Sequence, residues 1–93
     1  MVYSLANNFP NPSNPTTLIR YTLAFDSNVK LTVYNSLGQT VKELISSIQP
    51  GGMHEVNFDG SNLSSGTYFY SLHAASLDGS QNFTNTKKMI LLK

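Results

Sequence analysis

Two histidines and five carboxylates are the residues of this 93-residue sequence best suited to acid–base chemistry or metal binding. His54 and His73 both fall in stretches of strand-like alternation. Neither has an acidic neighbour at a catalytic spacing, so packing or surface roles are the better account of both. The acids are Asp26, Glu43, Glu55, Asp59 and Asp78. Three of them stand beside turn signals, where an aspartate caps backbone N–H groups without any further role. The segments Asp59-Gly60-Ser61-Asn62 and Asp78-Gly79-Ser80 offer the oxygen ligands that calcium favours. Calcium needs about six or more such oxygens, whereas an ordinary Asx turn explains both segments. No glycine-rich phosphate loop, H-E-x-x-H pair or G-x-S-x-G elbow occurs. With no cysteine, disulfides, thiolate metal sites and a cysteine nucleophile are excluded. The expectation is a chain without catalysis, metal or cofactor.

Charge and aromatic content narrow the remaining classes. Six basic residues against five acidic ones give a formal net charge of +1, with no basic stripe of the kind that tracks phosphates. Nucleic acid is therefore not an expected partner. Charged residues make up 12% of the chain, about half the usual share, and Asn, Ser and Thr must cover much of the surface. No apolar run approaches the ~18 residues of a membrane helix, and Met1-Val2-Tyr3-Ser4 has neither the basic start nor the apolar run of a signal peptide. Five Tyr and five Phe raise the possibility of a sugar-binding platform. Their alternation with polar residues instead assigns Tyr21, Phe58, Tyr68 and Tyr70 to a core, and Tyr34 and Phe69 to outer faces.

The elements that must position these residues read as strands. Residues 7–15 hold three of the four prolines and are expected to form an extended, polyproline-like lead-in and not an inner strand. Residues 16–23 place Ile19, Tyr21 and Leu23 on one face and Leu18, Arg20 and Thr22 on the other. Residues 28–34 put Val29, Leu31 and Val33 inward, and the turn Asn35-Ser36-Leu37-Gly38 follows, with Gly38 free to take a positive φ. Residues 39–45 return as a partner whose alternation slips at Glu43-Leu44, the sign of a bulge or a helical finish. Residues 46–52 read as a loop, 53–59 as a strand, 60–66 as a connection, 67–74 as the most aromatic strand and 82–92 as the last strand. Turn signals every eight to twelve residues, and no sustained 3.6-residue apolar repeat, predict an all-β, Ig-like antiparallel β-sandwich of about seven short strands. The organisation expected is a Pro/Asn-rich lead-in over residues 1–15 and one sandwich domain over residues 16–93.

Six pieces in a fixed order then resemble a known family. They are the lead-in Leu5-Ala6-Asn7-Asn8-Phe9-Pro10-Asn11-Pro12 with Asn14-Pro15 and Thr17, followed by the strand Ile19-Arg20-Tyr21-Thr22-Leu23. Next come Val29-Lys30-Leu31-Thr32-Val33-Tyr34-Asn35-Ser36-Leu37-Gly38-Gln39 and Gly52-Met53-His54-Glu55-Val56. Leu63-Ser64-Ser65-Gly66-Thr67-Tyr68-Phe69-Tyr70 and the Lys-bearing Thr86-Lys87-Lys88-Met89-Ile90-Leu91-Leu92-Lys93 complete the pattern. This resembles the type A C-terminal sorting domain of type IX secretion cargo, found in bacteria related to Bacteroidetes. Phe58 stands where the family often has a Trp and keeps the aromatic anchor.

The resemblance implies a domain at the end of a larger exported protein. That cargo reaches the periplasm by the general route, is recognised by the outer-membrane translocon, and is then secreted or held at the cell surface. A cell-surface sortase removes the domain in many members. The implied partners are the translocon components, the sortase and the cargo domain that precedes it, with no direct membrane insertion. Translocon recognition is carried onto Lys87, Lys88, Met89, Ile90, Leu91, Leu92 and Lys93, while Pro10, Asn11, Pro12, Gly38, Gly66 and Tyr68 match motif positions that read as structural. A terminal strand at a sheet edge suits recognition, because its unpaired backbone groups can accept a partner. Two alternatives remain open: an Ig-like spacer similar to that of flagellar hook-cap proteins, and a carbohydrate-binding accessory module of a secreted enzyme.

Overall fold

The structure is a computed structural model describing residues 1–93. It consists of β1 (Ser4–Leu5), β2 (Thr16–Leu23), β3 (Ser27–Asn35), β4 (Thr40–Gln49), β5 (Gly52–Asp59), β6 (Gly66–Ser76) and β7 (Asn82–Leu91), with no helix. A three-stranded sheet has the order β1-β2-β5 and a four-stranded sheet the order β4-β3-β6-β7, and every strand pair is antiparallel. This is the all-β sandwich that the alternation predicts.

The inward face of each strand supplies one core. Ile19, Tyr21 and Leu23 from β2 and Phe58 from β5 oppose Val29, Leu31 and Val33 from β3 and Tyr68, Tyr70, Leu72 and Ala74 from β6. Leu5, Met89 and Leu91 complete the cluster. Removing each large side chain from water contributes about 1.5–3 kcal/mol, the main force holding two sheets together in so short a chain. Tyr21, Phe58, Tyr68 and Tyr70 are buried as expected, while Tyr34 and Phe69 pair on the outward face of the four-stranded sheet. Buried tyrosines need a partner for the hydroxyl. Tyr70 Oη donates to Ala6 O (2.7 Å) and Tyr21 Oη to Gln49 Oε1.

Strand β4 departs from the reading most. Its register against β3 shifts twice, between Leu31 and Thr32 and between Val33 and Tyr34. The first shift answers the slip at Glu43-Leu44; together they let Val41, Leu44 and Ile45 all pack on the core. The strand also runs on to Gln49, where a loop was expected, because Ser46, Ser47 and Ile48 have the start of β3 to pair with.

The first fifteen residues are woven into the sandwich. Ser4 and Leu5 pair with Thr22 and Tyr21, Phe9 and Leu18 exchange backbone bonds (3.0 and 2.8 Å), and Ser13 then bridges in parallel to Leu91. The segment thus passes from the three-stranded sheet to the four-stranded one and closes that side of the sandwich. Its three X-Pro peptide bonds are cis.

Candidate functional site

The last strand alternates strictly, and this decides what a partner can touch. Phe83, Asn85, Lys87, Met89 and Leu91 face inward, and Met89 and Leu91 are 0% exposed. Lys88, Ile90 and Leu92 face outward with Thr84 and Thr86. Of the residues assigned to recognition, Lys88, Leu92 and Lys93 are exposed, Lys87 and Ile90 are half-buried, and Met89 and Leu91 are core.

The free edge of β7 is partly occupied. Ser13 N–H donates to Ile90 O (2.8 Å), Leu92 N–H donates to Ser13 O (2.9 Å), and Ile90 N–H donates to Asn11 Oδ1 (3.0 Å). The even-numbered residues of this strand therefore turn their backbone groups away from β6. Because its register with β6 is unbroken, Thr84, Thr86 and Lys88 do the same, but toward an edge with no paired strand.

Most of the motif residues converge at the end of the sandwich where β7 finishes. Gly66 is opposite Leu91 and Tyr68 opposite Met89. Tyr68 Oη donates to Ser64 O (2.7 Å), tying down the loop before its own strand. Pro10 O accepts from Thr17 Oγ1 (2.9 Å) and Asn8 Nδ2 (3.3 Å), and the same Nδ2 donates to Thr17 Oγ1 (3.0 Å). Lys93 closes the set: its N–H donates to Ser65 Oγ (3.0 Å) and its ammonium to Ser61 O (2.5 Å). Gly38 adopts a φ of +83° in the β3–β4 turn, as expected, with its N–H donating to Asn35 O (3.0 Å).

One residue that matters here went unread in the sequence. Gly60 is buried, and a Cβ there would lie 3.1 Å from both δ-carbons of Leu91, so any larger residue would need the Leu91 side chain to shift by a few tenths of an ångström. Its sole sequence signal, Asp59-Gly60, is indistinguishable from any turn.

Charge is sparse at this end. The one ion pair of the molecule joins Arg20 to Glu55 on the exposed face of the other sheet, leaving Lys87 and Lys88 without carboxylate partners. The Ser61 N–H and hydroxyl beside Asp59 hold its carboxyl below the usual range, with Lys42 and Lys93 contributing less. At the other end of the sandwich, the backbone N–H of Ser80 and the hydroxyls of Ser80 and Ser76 hold Asp78 down at about 2. Burial pushes the Tyr21 and Tyr70 hydroxyls up, against a lesser opposing effect of the Gln49 side chain on Tyr21 and of the Asn8 backbone on Tyr70.

The histidines lie on different sheets. His54 stacks on Tyr21 with ring centroids 5.3 Å apart, and its Nε2–H donates to Pro50 O (2.7 Å). His73 faces outward, its Nδ1 3.1 Å from Thr84 Oγ1. No three His, Asp or Glu side chains group as metal ligands would. The largest concavity, about 560 Å³, is an open groove on the outward face of the four-stranded sheet, lined by Asn28, Lys30, Ser46, His73, Asn82 and Thr84 among others. Its one aromatic, Phe83, is already stacked on Tyr3.

A family model described as "Secretion system C-terminal sorting domain" matches residues 7–91. No match was found among curated proteins. Among solved structures, the crystal structure of CopC from Methylosinus trichosporium OB3b is similar over 97% of this chain and 93% of that one, with a TM-score of 0.60 and 15% identity. At that identity the likeness concerns the β-sandwich fold alone.

Proposed function

The chain belongs to the family of secretion system C-terminal sorting domains, and from that premise we propose that it delivers a preceding cargo domain to the type IX outer-membrane translocon without catalysing any reaction itself. The cargo crosses the inner membrane first, and the folded domain is then read in the periplasm at the end where β7 finishes. A cell-surface sortase removes the domain once the cargo has been exported. Recognition falls on Lys87, Lys88, Met89, Ile90, Leu91, Leu92 and Lys93, divided by the alternation into two tasks. Met89 and Leu91 hold the strand in the core, while Lys88, Ile90, Leu92 and Lys93 present its outward side.

The observation that carries this reading is the bond from Ile90 N–H to Asn11 Oδ1, which joins family motif positions separated by 79 residues. A spacer module needs neither motif at a shared surface. A carbohydrate module would be expected to line its groove with free aromatic rings, and Phe83, the phenyl ring lining this one, is stacked on Tyr3.

The test is a reporter placed before the intact domain in a host that has the secretion system. Export of the reporter supports the reading, and retention in the periplasm with a folded domain refutes it. Deleting residues 87–93 is a poor probe, because it removes Met89 and Leu91 from the core. Lys88→Glu with Lys93→Glu leaves the core intact and is the better variant. On this reading it lowers export while the purified domain melts within a few degrees of the parent.

A further inference from the structure

We infer that the docking surface extends beyond the last strand onto the outward face of the four-stranded sheet, where Tyr34 and Phe69 act as apolar anchors beside Lys88, and that it fits a protein partner whose surface is apolar and rimmed with carboxylates. The inference rests on the sorting role proposed above. It follows from register. Lys88 stands directly opposite Phe69, and Phe69 directly opposite Tyr34, all three on the outward face. Neighbouring strands are about 4.8 Å apart, so the three Cα atoms span only about 10 Å. Ile90 is opposite Thr67, and Leu92 continues the same row beyond it, 50% exposed.

A partner cannot reach Met89 or Leu91 without unfolding the strand, since neither has exposed surface. It is left with Lys88, Ile90 and Leu92, and Phe69 and Tyr34 are the next side chains on that face, one and two strands away from Lys88. Both side chains are half-buried. Rigid aromatics of this kind make efficient anchors at interfaces, because little conformational freedom is lost on binding. The sign of the partner comes from the cations. Lys88 has no carboxylate within ion-pair distance, and the Lys93 ammonium bonds the Ser61 carbonyl with Asp59 near it but outside ion-pair distance. The Pro/Asn lead-in supplies the rim: Asn11 and Pro12 are exposed beside Ile90. A side-chain surface also suits this part of β7 better than strand addition, since Ser13 and Asn11 already hold the backbone groups of Ile90 and Leu92.

The experiment uses the reporter fusion with four single variants of the domain: Phe69→Ser, Tyr34→Ser, Lys88→Glu and, as control, Lys30→Glu. Lys30 lies on the same outward face but pairs with Ser46 and His73, away from the patch. Export is expected to fall about tenfold or more for Phe69→Ser and Lys88→Glu, as loss of an interface anchor does. The fall for Tyr34→Ser is smaller, and Lys30→Glu stays within about twofold of the parent, as a charge outside the contact should. Melting temperatures of the purified variants check folding. Should Phe69→Ser unfold, the exposed Lys88→Glu still decides the matter. Normal export of folded Lys88→Glu and Tyr34→Ser overturns the inference. So does normal export of Phe69→Ser alongside loss of export in Thr84→Pro, which would assign docking to the open backbone edge. Failure of the parent domain to export the reporter would instead overturn the sorting role itself.

Discussion

The two ends of this sandwich are held together by different means. Where β7 finishes, the bonds join segments far apart in the chain: Ser13 to Ile90 and Leu92, Asn11 to Ile90, Lys93 to Ser61 and Ser65, and Gly60 N–H to Pro15 O (3.2 Å). At the opposite end they are mostly short-range. Asp78 accepts from Ser76 and Ser80 and Ser76 N–H donates to Gln81 O, while the longer reaches are Asp26 to Gly51 N–H and Leu77 N–H, Tyr3 to Ser27 and Tyr21 to Gln49. Exposed apolar side chains occur at both ends, Phe25, Leu77, Ile48 and Met53 at the locally bonded one and Leu37 and Leu92 at the other, where Met89 and Leu91 are sealed. Long-range closure at one end means that the structure there exists only once the whole domain has folded.

The sharpest way to break this contrast is Leu91→Ala. Leu91 is fully buried against Gly60 and lies on the residue that bridges to Ser13. A loss of about 2–5 kcal/mol is expected, a large part of the about 5–14 kcal/mol total for a domain of this length. Chemical denaturation should show it directly. The counterpart at the other end, Leu77→Ala, removes a half-exposed side chain and should change stability by less than about 0.5 kcal/mol. Comparable losses from the two would show that the ends are equally cooperative and remove the distinction.

A gentler probe is Tyr70→Phe, which deletes only the hydroxyl that bonds Ala6 O and so loosens the lead-in from the core. The expected cost is about 0.5–1.5 kcal/mol at neutral pH. Alkaline titration adds a second readout. The folded Tyr70 and Tyr21 hydroxyls have pKa values raised above that of the unfolded chain. Their contribution is complete below about pH 10 and is lost as pH rises through the folded values, because the native state then binds more protons than the unfolded one. Tyr70→Phe should flatten that alkaline decline. An unchanged decline would place its cause elsewhere.

Much of this contrast was legible in the residues, and the rest was not for a definable reason. Alternation at Ile19, Tyr21 and Leu23, and at Tyr68, Tyr70 and Leu72, sorted the faces correctly, since one buried face forces a period of two. The turn glycine Gly38 and the slip at Glu43-Leu44 were readable for the same local reason. Strand β1 was not, because two residues carry no period. The lead-in was expected to be extended, but prolines cannot say which sheet they lie against. That answer depends on Asn8 meeting Thr17 and Ser13 meeting Leu91, contacts made across the fold. Likewise Lys87 and Lys88 look equivalent in sequence, yet the register turns one inward and the other out. The sorting role rested on resemblance, and the family match now supports it.

The smallest expected effect tests the locally bonded end alone. The folded Asp78 carboxyl is held at about 2, chiefly by the Ser80 N–H and hydroxyl and then by the Ser76 hydroxyl. Its unfolded value is near 4, so the native state favours the charged form. The stabilisation is present above pH 4 and is lost as pH falls from about 4 toward 2. Asp78 is fully exposed, so solvent and salt screen the effect and the change in melting temperature should be small. Asp78→Asn should remove this part of the acid dependence while leaving the neutral-pH stability close to the parent. If the turn is as local as its bonds suggest, amide exchange in the variant should quicken at Ser80 and Gln81 and stay unchanged at Ile90 and Leu92. Faster exchange at Ile90 would mean that the β6–β7 turn communicates along the whole of β7 to its far end.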